Sequence, residues 1–453
     1  MKSINPATGE TIKSYEPHTP AQIENKLQQC MQAQKKWQEW PVAKRAEGLV
    51  RLAAAIEAHL EALALLMTRE MGKPIAQSRG ELKKCALNLR YYAEQGPAMI
   101  ADEPVKTEGQ KSFICYQPLG IVLAIMPWNF PFWQVFRCIA PIMLAGNGMV
   151  LKHASNVSGC ALAIEELVQA ADLPEGLFHT LLLPGKEVEA LIGNPAINAV
   201  TFTGSTAAGS QVAAAAGSHI KKQVLELGGS DAYVVLADAD LDVTVKVCTE
   251  ARLVNSGQSC VAAKRFVVEK SIFPEFEQRF VAAMQAATFG NPEDGKNTIG
   301  PLARLDLRDA LHQQVLDSIE KGANLLCGGE IPEGPGAYYP PTVLSQVKPG
   351  MPAYEEEMFG PVAALIEAAD EADAIRIAND NVYGLGAAVF TQDLAKGERI
   401  AATQLIAGNC FVNAQVHSDP RLPFGGAKQS GYGRELSRFG IQEFCLIKTV
   451  FVR

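Results

Sequence analysis

The sequence predicts an α/β fold with two domains, each built on a parallel sheet with helices on both faces. Three observations carry this prediction. The chain has 453 residues, room for about three lobes at ~150 residues each. From residue 149 onward, short apolar runs alternate with helical segments, and a second such series begins near 233. Alternation of this kind is the signature of strands joined by crossover helices.

The elements follow in order. Residues 20–100 read as helical: apolar side chains recur at three- and four-residue spacing through Leu49, Leu52, Ile56, Leu60 and Leu63, amid Ala, Glu, Lys and Gln. The stretch Leu119 to Phe136 is the most apolar, but Pro127, Asn129, Pro131 and Gln134 interrupt it. A membrane span needs ~20 mostly apolar residues, so this stretch reads as buried core. The first series is strand Met149 to Leu151, helix Ala161 to Ala171, strand His179 to Leu182, helix Glu187 to Ile192, strand Ala199 to Phe202 and helix Ser205 to Ala216. The second places strands at Tyr233 to Leu236, Arg265 to Val268, Val362 to Ile366 and Ala387 to Phe390. Helices at Ile272 to Ala287 and Ala369 to Ala378 lie between them. Residues 112–118 and 446–452 are strand-like and fit neither series. Extended segments without a sheet of their own often complete a partner's sheet.

Composition removes several function classes. The net charge is −8, and no basic block appears, which argues against nucleic acid or an anionic membrane as a partner. The ten cysteines show neither zinc-ligand spacing nor a disulfide framework, so no metal site is expected. The opening residues lack the apolar run of a signal peptide, which leads us to expect a cytoplasmic protein.

Four local patterns could carry chemistry, and each has a plain structural alternative. In Phe202-Thr203-Gly204-Ser205-Thr206-Ala207-Ala208-Gly209 a strand runs through a Gly/Ser turn into a helix. Helix-start N–H groups suit a phosphate, yet the three close glycines of the usual dinucleotide fingerprint are missing, and Ser205 also reads as an ordinary N-cap. Cys260 follows Asn255-Ser256-Gly257-Gln258-Ser259, small and polar residues that can line a channel. A nucleophilic thiol also needs a base or a dipole, and no local Cys–His signature supplies one. The other nine cysteines read as small buried hydrophobes. Glu226, in Val224-Leu225-Glu226-Leu227-Gly228-Gly229, is either a surface charge at a strand end or a desolvated base. Trp128-Asn129-Phe130-Pro131 is either a proline turn in a core or a stiff aromatic turn presenting one amide.

Taken in register, these pieces resemble the aldehyde dehydrogenase superfamily from end to end. The matching segments include Ile4 to Gly9, Met126 to Pro131, Phe202 to Gly209, Leu225 to Gly229 and Gly257 to Cys260. Glu356-Glu357-Met358-Phe359-Gly360-Pro361 and Pro423 to Gly431 also match. The resemblance implies two Rossmann-like domains: a cofactor domain of residues 1–111 and 126–228, and a catalytic domain of 229–430. It implies an oligomerisation arm of 112–125 and 431–453, hence a homodimer or a dimer of dimers. Cys260 would attack the aldehyde, Asn129 and the Cys260 N–H would hold the oxyanion, and Glu226 would activate water. Trp128, Lys152, Ser155, Gly204, Ser205, Gly209, Leu227, Glu357 and Phe359 would form the cofactor site.

Two departures sharpen the expectation. Many relatives carry a glutamate, which binds the NAD ribose, where this chain has Ser155. Its absence, with Lys152 nearby, favours NADP, with NAD as an alternative. Arg137 and Ser418 match groups that hold the substrate carboxylate in bacterial succinate-semialdehyde dehydrogenases, the members this chain most resembles. The second arginine of that group is Val254 here. The expected substrate is therefore a small aldehyde with a carboxylate tail, and the alternative for Arg137 is a structural ion pair. Competing readings are another small aldehyde such as lactaldehyde or an aliphatic one, a coenzyme A-acylating relative, and a non-catalytic binding protein.

Overall fold

The computed structural model describes residues 1–453. Its first sheet has six strands, in the order Gly431–Tyr432, Lys222–Glu226, Ile197–Thr203, Ile121–Met126, Gly148–His153, Phe178–Thr180. Five run parallel, and Gly431–Tyr432 is an antiparallel edge. The second sheet has seven: Asn324–Cys327, Thr342–Ser345, Val362–Ala368, Ala263–Glu269, Asp231–Val235, Gly386–Phe390 and Asn409–Val412. Only Asn324–Cys327 is antiparallel there. Every strand expected from the two alternating series is present.

Both sheets are covered on both faces, and the strand period explains how. Val122, Ala124 and Met126 point into a core shared with Leu49, Leu52, Ile56 and Leu63 of the N-terminal helices. Ile121, Leu123 and Ile125 point the other way, against Leu27, Cys30 and Val212. A strand buried on both faces is apolar throughout, so it shows no alternation in sequence. In the second sheet, Ala232 and Val234 enter one core while Tyr233 and Val235 enter the other.

This corrects two boundaries. The arm was expected to take 112–125, but Ile121–Met126 lies in the middle of the first sheet, flanked by parallel strands on both sides. Likewise Gly431–Tyr432 pairs with Lys222–Glu226 rather than with the arm. The arm strands themselves are Lys111–Pro118 and Cys445–Val452, antiparallel from Cys445 opposite Pro118 to Val452 opposite Lys111. Glu103–Pro104 adds a short third strand, which leaves Cys445–Val452 as a free edge. No helix is long and apolar enough to cross a membrane.

Candidate active site

The C-terminal ends of three first-sheet strands, Ile121–Met126, Ile197–Thr203 and Lys222–Glu226, converge where the chain crosses to the second sheet. Ligands of open α/β sheets bind at such strand ends. A cavity of about 260 Å³ opens there, lined by Trp128, Asn129, Gln134, Gly204, Ser205, Leu227, Cys260, Glu357 and Phe359 among others. Eight of the residues expected from sequence thus share one cavity.

The loop that carries Asn129 is held by charge buried beneath it. Glu81 accepts from the N–H groups of Phe132 and Trp133, at 2.9 and 2.8 Å, capping the helix Trp133–Leu144. Lys73 pairs with Glu81 and lies 3.8 Å from the Phe130 ring centroid. His153 adds a strut: its Nε2 lies 2.9 Å from the Pro131 carbonyl, and the Ala154 N–H donates to its Nδ1. Burial pushes this imidazole down to about 4, so it is neutral and Nε2 carries the proton. The Asn129 amide donates one hydrogen to the Gln258 carbonyl at 3.1 Å. Its second amide hydrogen remains to face the cavity.

Cys260 is presented by a strained turn. Asn255, Ser256 and Gly257 all have positive φ, at 54°, 55° and 76°. A side chain at Gly257 would begin 2.2 Å from the Gly360 carbonyl oxygen, so only glycine fits. Asn255 steadies the turn by donating to the carbonyls of Asn129 and Gln258. Behind it, buried Lys264 donates to the carbonyls of Ser259 and Cys260, at 2.8 and 2.6 Å, and pairs with Glu357 at 3.3 Å. Desolvation pushes the Cys260 thiol up to about 12, with Lys264 and Arg137 opposing. The resting group is a thiol.

Glu226 is 2% exposed, and neither carboxylate oxygen has a hydrogen-bond partner. Burial first, then the nearby Glu435 carboxylate, raises its pKa well above the usual range. Such a group is a base that stays protonated until pH climbs, rather than the surface charge that was the alternative reading.

The structure also accommodates a dinucleotide. Ser205 caps the helix Thr206–Ser218 by accepting from the Ala208 N–H at 3.4 Å, leaving the first-turn N–H groups at the cavity edge for a pyrophosphate. A side chain at Gly209 would clash with Leu227, and one at Gly228 with Glu357. Phe359 packs edge-on to Trp128, ring centroids 5.7 Å apart. Lys152 and Ser155 lie outside the cavity lining, at the end of strand Gly148–His153. Burial alone lowers the Lys152 pKa, with no carboxylate close enough to counter it, and Ser155 is exposed.

Arg137 requires a correction. It is 2% exposed and ion-paired with Glu435, itself 1% exposed. Its guanidinium also lies 4.8 Å from the Phe424 ring centroid and 3.4 Å from the Thr203 hydroxyl. The charge expected to hold a substrate carboxylate is already neutralised by the protein. We therefore expect Arg137→Leu to lower stability by ~3–5 kcal/mol, the cost of stranding a buried charge. Its residual kcat/KM should fall alike for charged and uncharged aldehydes. Thermal unfolding of Arg137→Leu beside Arg137→Leu/Glu435→Leu checks this: the double variant should recover most of the loss. Ser418 is buried and its hydroxyl accepts from Lys84 at 2.8 Å. Neither Lys84 nor Glu435 was singled out from sequence, because nothing near either in the chain marks it as buried.

The aldehyde dehydrogenase family model matches residues 1–450. The NAD(P)+ succinate semialdehyde dehydrogenase Sad of Escherichia coli (strain K12) is 49% identical, over 99% of this chain and 97% of that protein. A probable NADP+ succinate-semialdehyde dehydrogenase of Synechocystis is 48% identical, over 100% and 99%. The crystal structure of succinic semialdehyde dehydrogenase from Streptococcus pyogenes in complex with NADP+ superimposes with a TM-score of 0.97. It is 34% identical, covering 100% of this chain and 99% of that one. A seven-motif match in sequence, a cavity that gathers five of those motifs and agreement along the whole length lead to one conclusion: this chain belongs to the aldehyde dehydrogenase family.

Proposed function

We propose that this protein oxidises succinic semialdehyde to succinate, preferring NADP over NAD. The observation that carries the chemistry is one cavity wall bearing the Cys260 thiol and the Asn129 amide, with the unpartnered Glu226 carboxylate buried nearby. The substrate class rests on likeness to relatives named for it.

The Cys260 sulfur forms a bond to the aldehyde carbon as the thiol proton passes to solvent water and the carbonyl π pair moves to oxygen, giving a thiohemiacetal oxyanion. This oxyanion is held by the free hydrogen of the Asn129 amide and by the Cys260 N–H, which donates to no other backbone atom. One such donor lowers the barrier by ~3 kcal/mol. NADP, when bound, supplies the hydride acceptor. The residue left on Cys260 is a thioester, and Glu226 takes a proton from water as that water attacks it. Retention of Glu226 favours water over coenzyme A as the final acceptor. The cofactor would be held by Trp128, Gly204, Ser205, Gly209 and Leu227 around the phosphates, Glu357 and Phe359 at the nicotinamide end, and Lys152 and Ser155 at the adenosine ribose.

Ser155→Glu should move preference toward NAD. A carboxylate repels the 2′-phosphate and accepts hydrogen bonds from the free ribose hydroxyls, so the two cofactors respond in opposite directions. One near-surface charge at ~4 Å interacts by a few kcal/mol before screening, enough to shift the kcat/KM ratio tenfold or more. Steady-state kinetics with both cofactors at fixed aldehyde give that ratio. An unchanged ratio removes Ser155 as the selector.

The buried Arg137–Glu435 pair favours a second reading, a small uncharged aldehyde such as lactaldehyde. A kcat/KM matrix of charged and uncharged aldehydes with both cofactors decides between them, and no turnover on any of them leaves the non-catalytic reading. For assembly, the free edge of Cys445–Val452 exposes Leu446, Ile447 and Phe451 by 49%, 56% and 49%. An apolar edge strand of this kind supports self-association in a homodimer or dimer of dimers, measurable by light scattering. We place the enzyme in the cytoplasm.

A further inference from the structure

Lys84, in the helix Ile75–Met99, is a half-buried cation with no carboxylate of its own. Its Nζ donates to the Ser418 hydroxyl at 2.8 Å and lies 4.3 Å from the Trp133 ring centroid. The acidic groups around it are committed elsewhere. Glu81 pairs with Lys73 and caps the helix Trp133–Leu144, and Asp419 is clamped by Arg421, with Nη2 to Oδ2 at 2.6 Å. A hydroxyl and an aromatic face compensate a half-buried ammonium only in part.

The position of this cation bears on the substrate. Trp133, on which Lys84 stacks, directly precedes Gln134, which lines the cavity beside Cys260. Arg137 lies one turn further along the same helix, its charge taken by Glu435. An ammonium has three donors, of which Ser418 uses one, and the Ser418 hydroxyl keeps its own hydrogen to donate.

We propose that Lys84, together with Ser418, receives the carboxylate tail of the aldehyde and sets specificity for it. The inference rests on the reading of the substrate as a carboxylate-bearing aldehyde. A carboxylate there supplies the missing counter-charge and accepts from both groups. This explains how a chain with Val254 in place of the second arginine, and with Arg137 already paired, can select a charged substrate.

The proposal gives a pH signature. Burial, then Arg137 on the facing helix, push the Lys84 amine down to about 8, while Cys85 and Glu81 on its own helix and Asp419 on the adjoining loop act in the opposite sense. As pH rises through 8, the free enzyme loses this charge while the substrate carboxylate keeps its own. Preference for the charged aldehyde should fall over that range.

The test compares succinic semialdehyde with butanal, an uncharged aldehyde of the same chain length, in the wild type, Lys84→Met and Lys84→Arg. The wild-type ratio of kcat/KM values should be well above one, and Lys84→Met should lower it by ~10- to 100-fold, mainly through KM. Lys84→Arg should keep most of the ratio and abolish its decline above pH 8, since a guanidinium does not titrate there. Succinate binding to the cofactor-free protein, read by tryptophan fluorescence, should weaken in Lys84→Met by a similar factor. A wild-type ratio near one would overturn the carboxylate-aldehyde reading and the role of Lys84 with it. A high ratio that survives in Lys84→Met, or a pH decline that persists in Lys84→Arg, would overturn Lys84 alone and leave the substrate reading standing.

Discussion

Cys260→Ala should abolish aldehyde oxidation while leaving the fold and NADP binding intact. Removing a nucleophile elsewhere lowers turnover by ~10⁴-fold or more, since no other group can form the covalent intermediate. The substitution is small and sits on the cavity wall. The turn that presents it is held by Asn255 and Lys264 through backbone carbonyls, not through the sulfur. Thermal unfolding and cofactor binding should therefore match the wild type. Substantial remaining turnover would sink the mechanism. The same residue gives a pH expectation. Its thiol is pushed up to about 12, so in the cofactor-free protein the thiolate fraction, and with it the rate of alkylation by iodoacetamide, should climb about tenfold per pH unit across the neutral range. A plateau near pH 7 would mean that Lys264 and Arg137 outweigh desolvation.

The second large effect is expected for Glu226→Gln. The amide keeps the shape and burial of the side chain and removes its ability to take a proton. If Glu226 acts only on the thioester, one equivalent of reduced cofactor per Cys260 should appear quickly. Turnover should then stall, with the steady state down by ~10²- to 10⁴-fold, the usual contribution of a general base. Rapid-mixing absorbance of the reduced cofactor separates the phases. Absence of the burst would place Glu226 before hydride transfer. In the wild type the basic form is the working one, and burial and Glu435 raise its pKa. Deacylation should therefore slow as pH falls through that raised pKa, and recover above it.

The paired charges beside Glu226 bear on this pKa. Arg137 and Glu435 neutralise each other, so Glu226 has no full counter-charge of its own. Losing Arg137 would leave two buried carboxylates together. That is why its substitution is expected to damage stability and deacylation for every aldehyde rather than recognition of one.

How much of this was legible beforehand follows from the range of each interaction. The alternating strands and helices were readable because their signal is local: neighbours two to four residues apart decide which face is buried. The motifs around Asn129, Ser205, Glu226, Cys260 and Glu357 were readable because each presents its group within a few residues of chain. Strand Ile121–Met126 was not, because its apolar run continues through Pro127 and Phe130 into the helix Trp133–Leu144, so no polar segment marks where the strand ends.

The sequence by itself thus determined the fold class and pointed to Cys260 as nucleophile, Glu226 as base and NADP as preferred cofactor. Tertiary structure alone decided which cations are free. Arg137 read as a free anchor until the fold set Glu435 against it. Lys84 read as one more helix lysine until the fold laid it on Trp133 and against Ser418, 334 residues away. The physical reason is that a charge's role depends on whether its counter-charge comes from the protein or from a ligand. That partner is set by packing between distant segments, which no local spacing records.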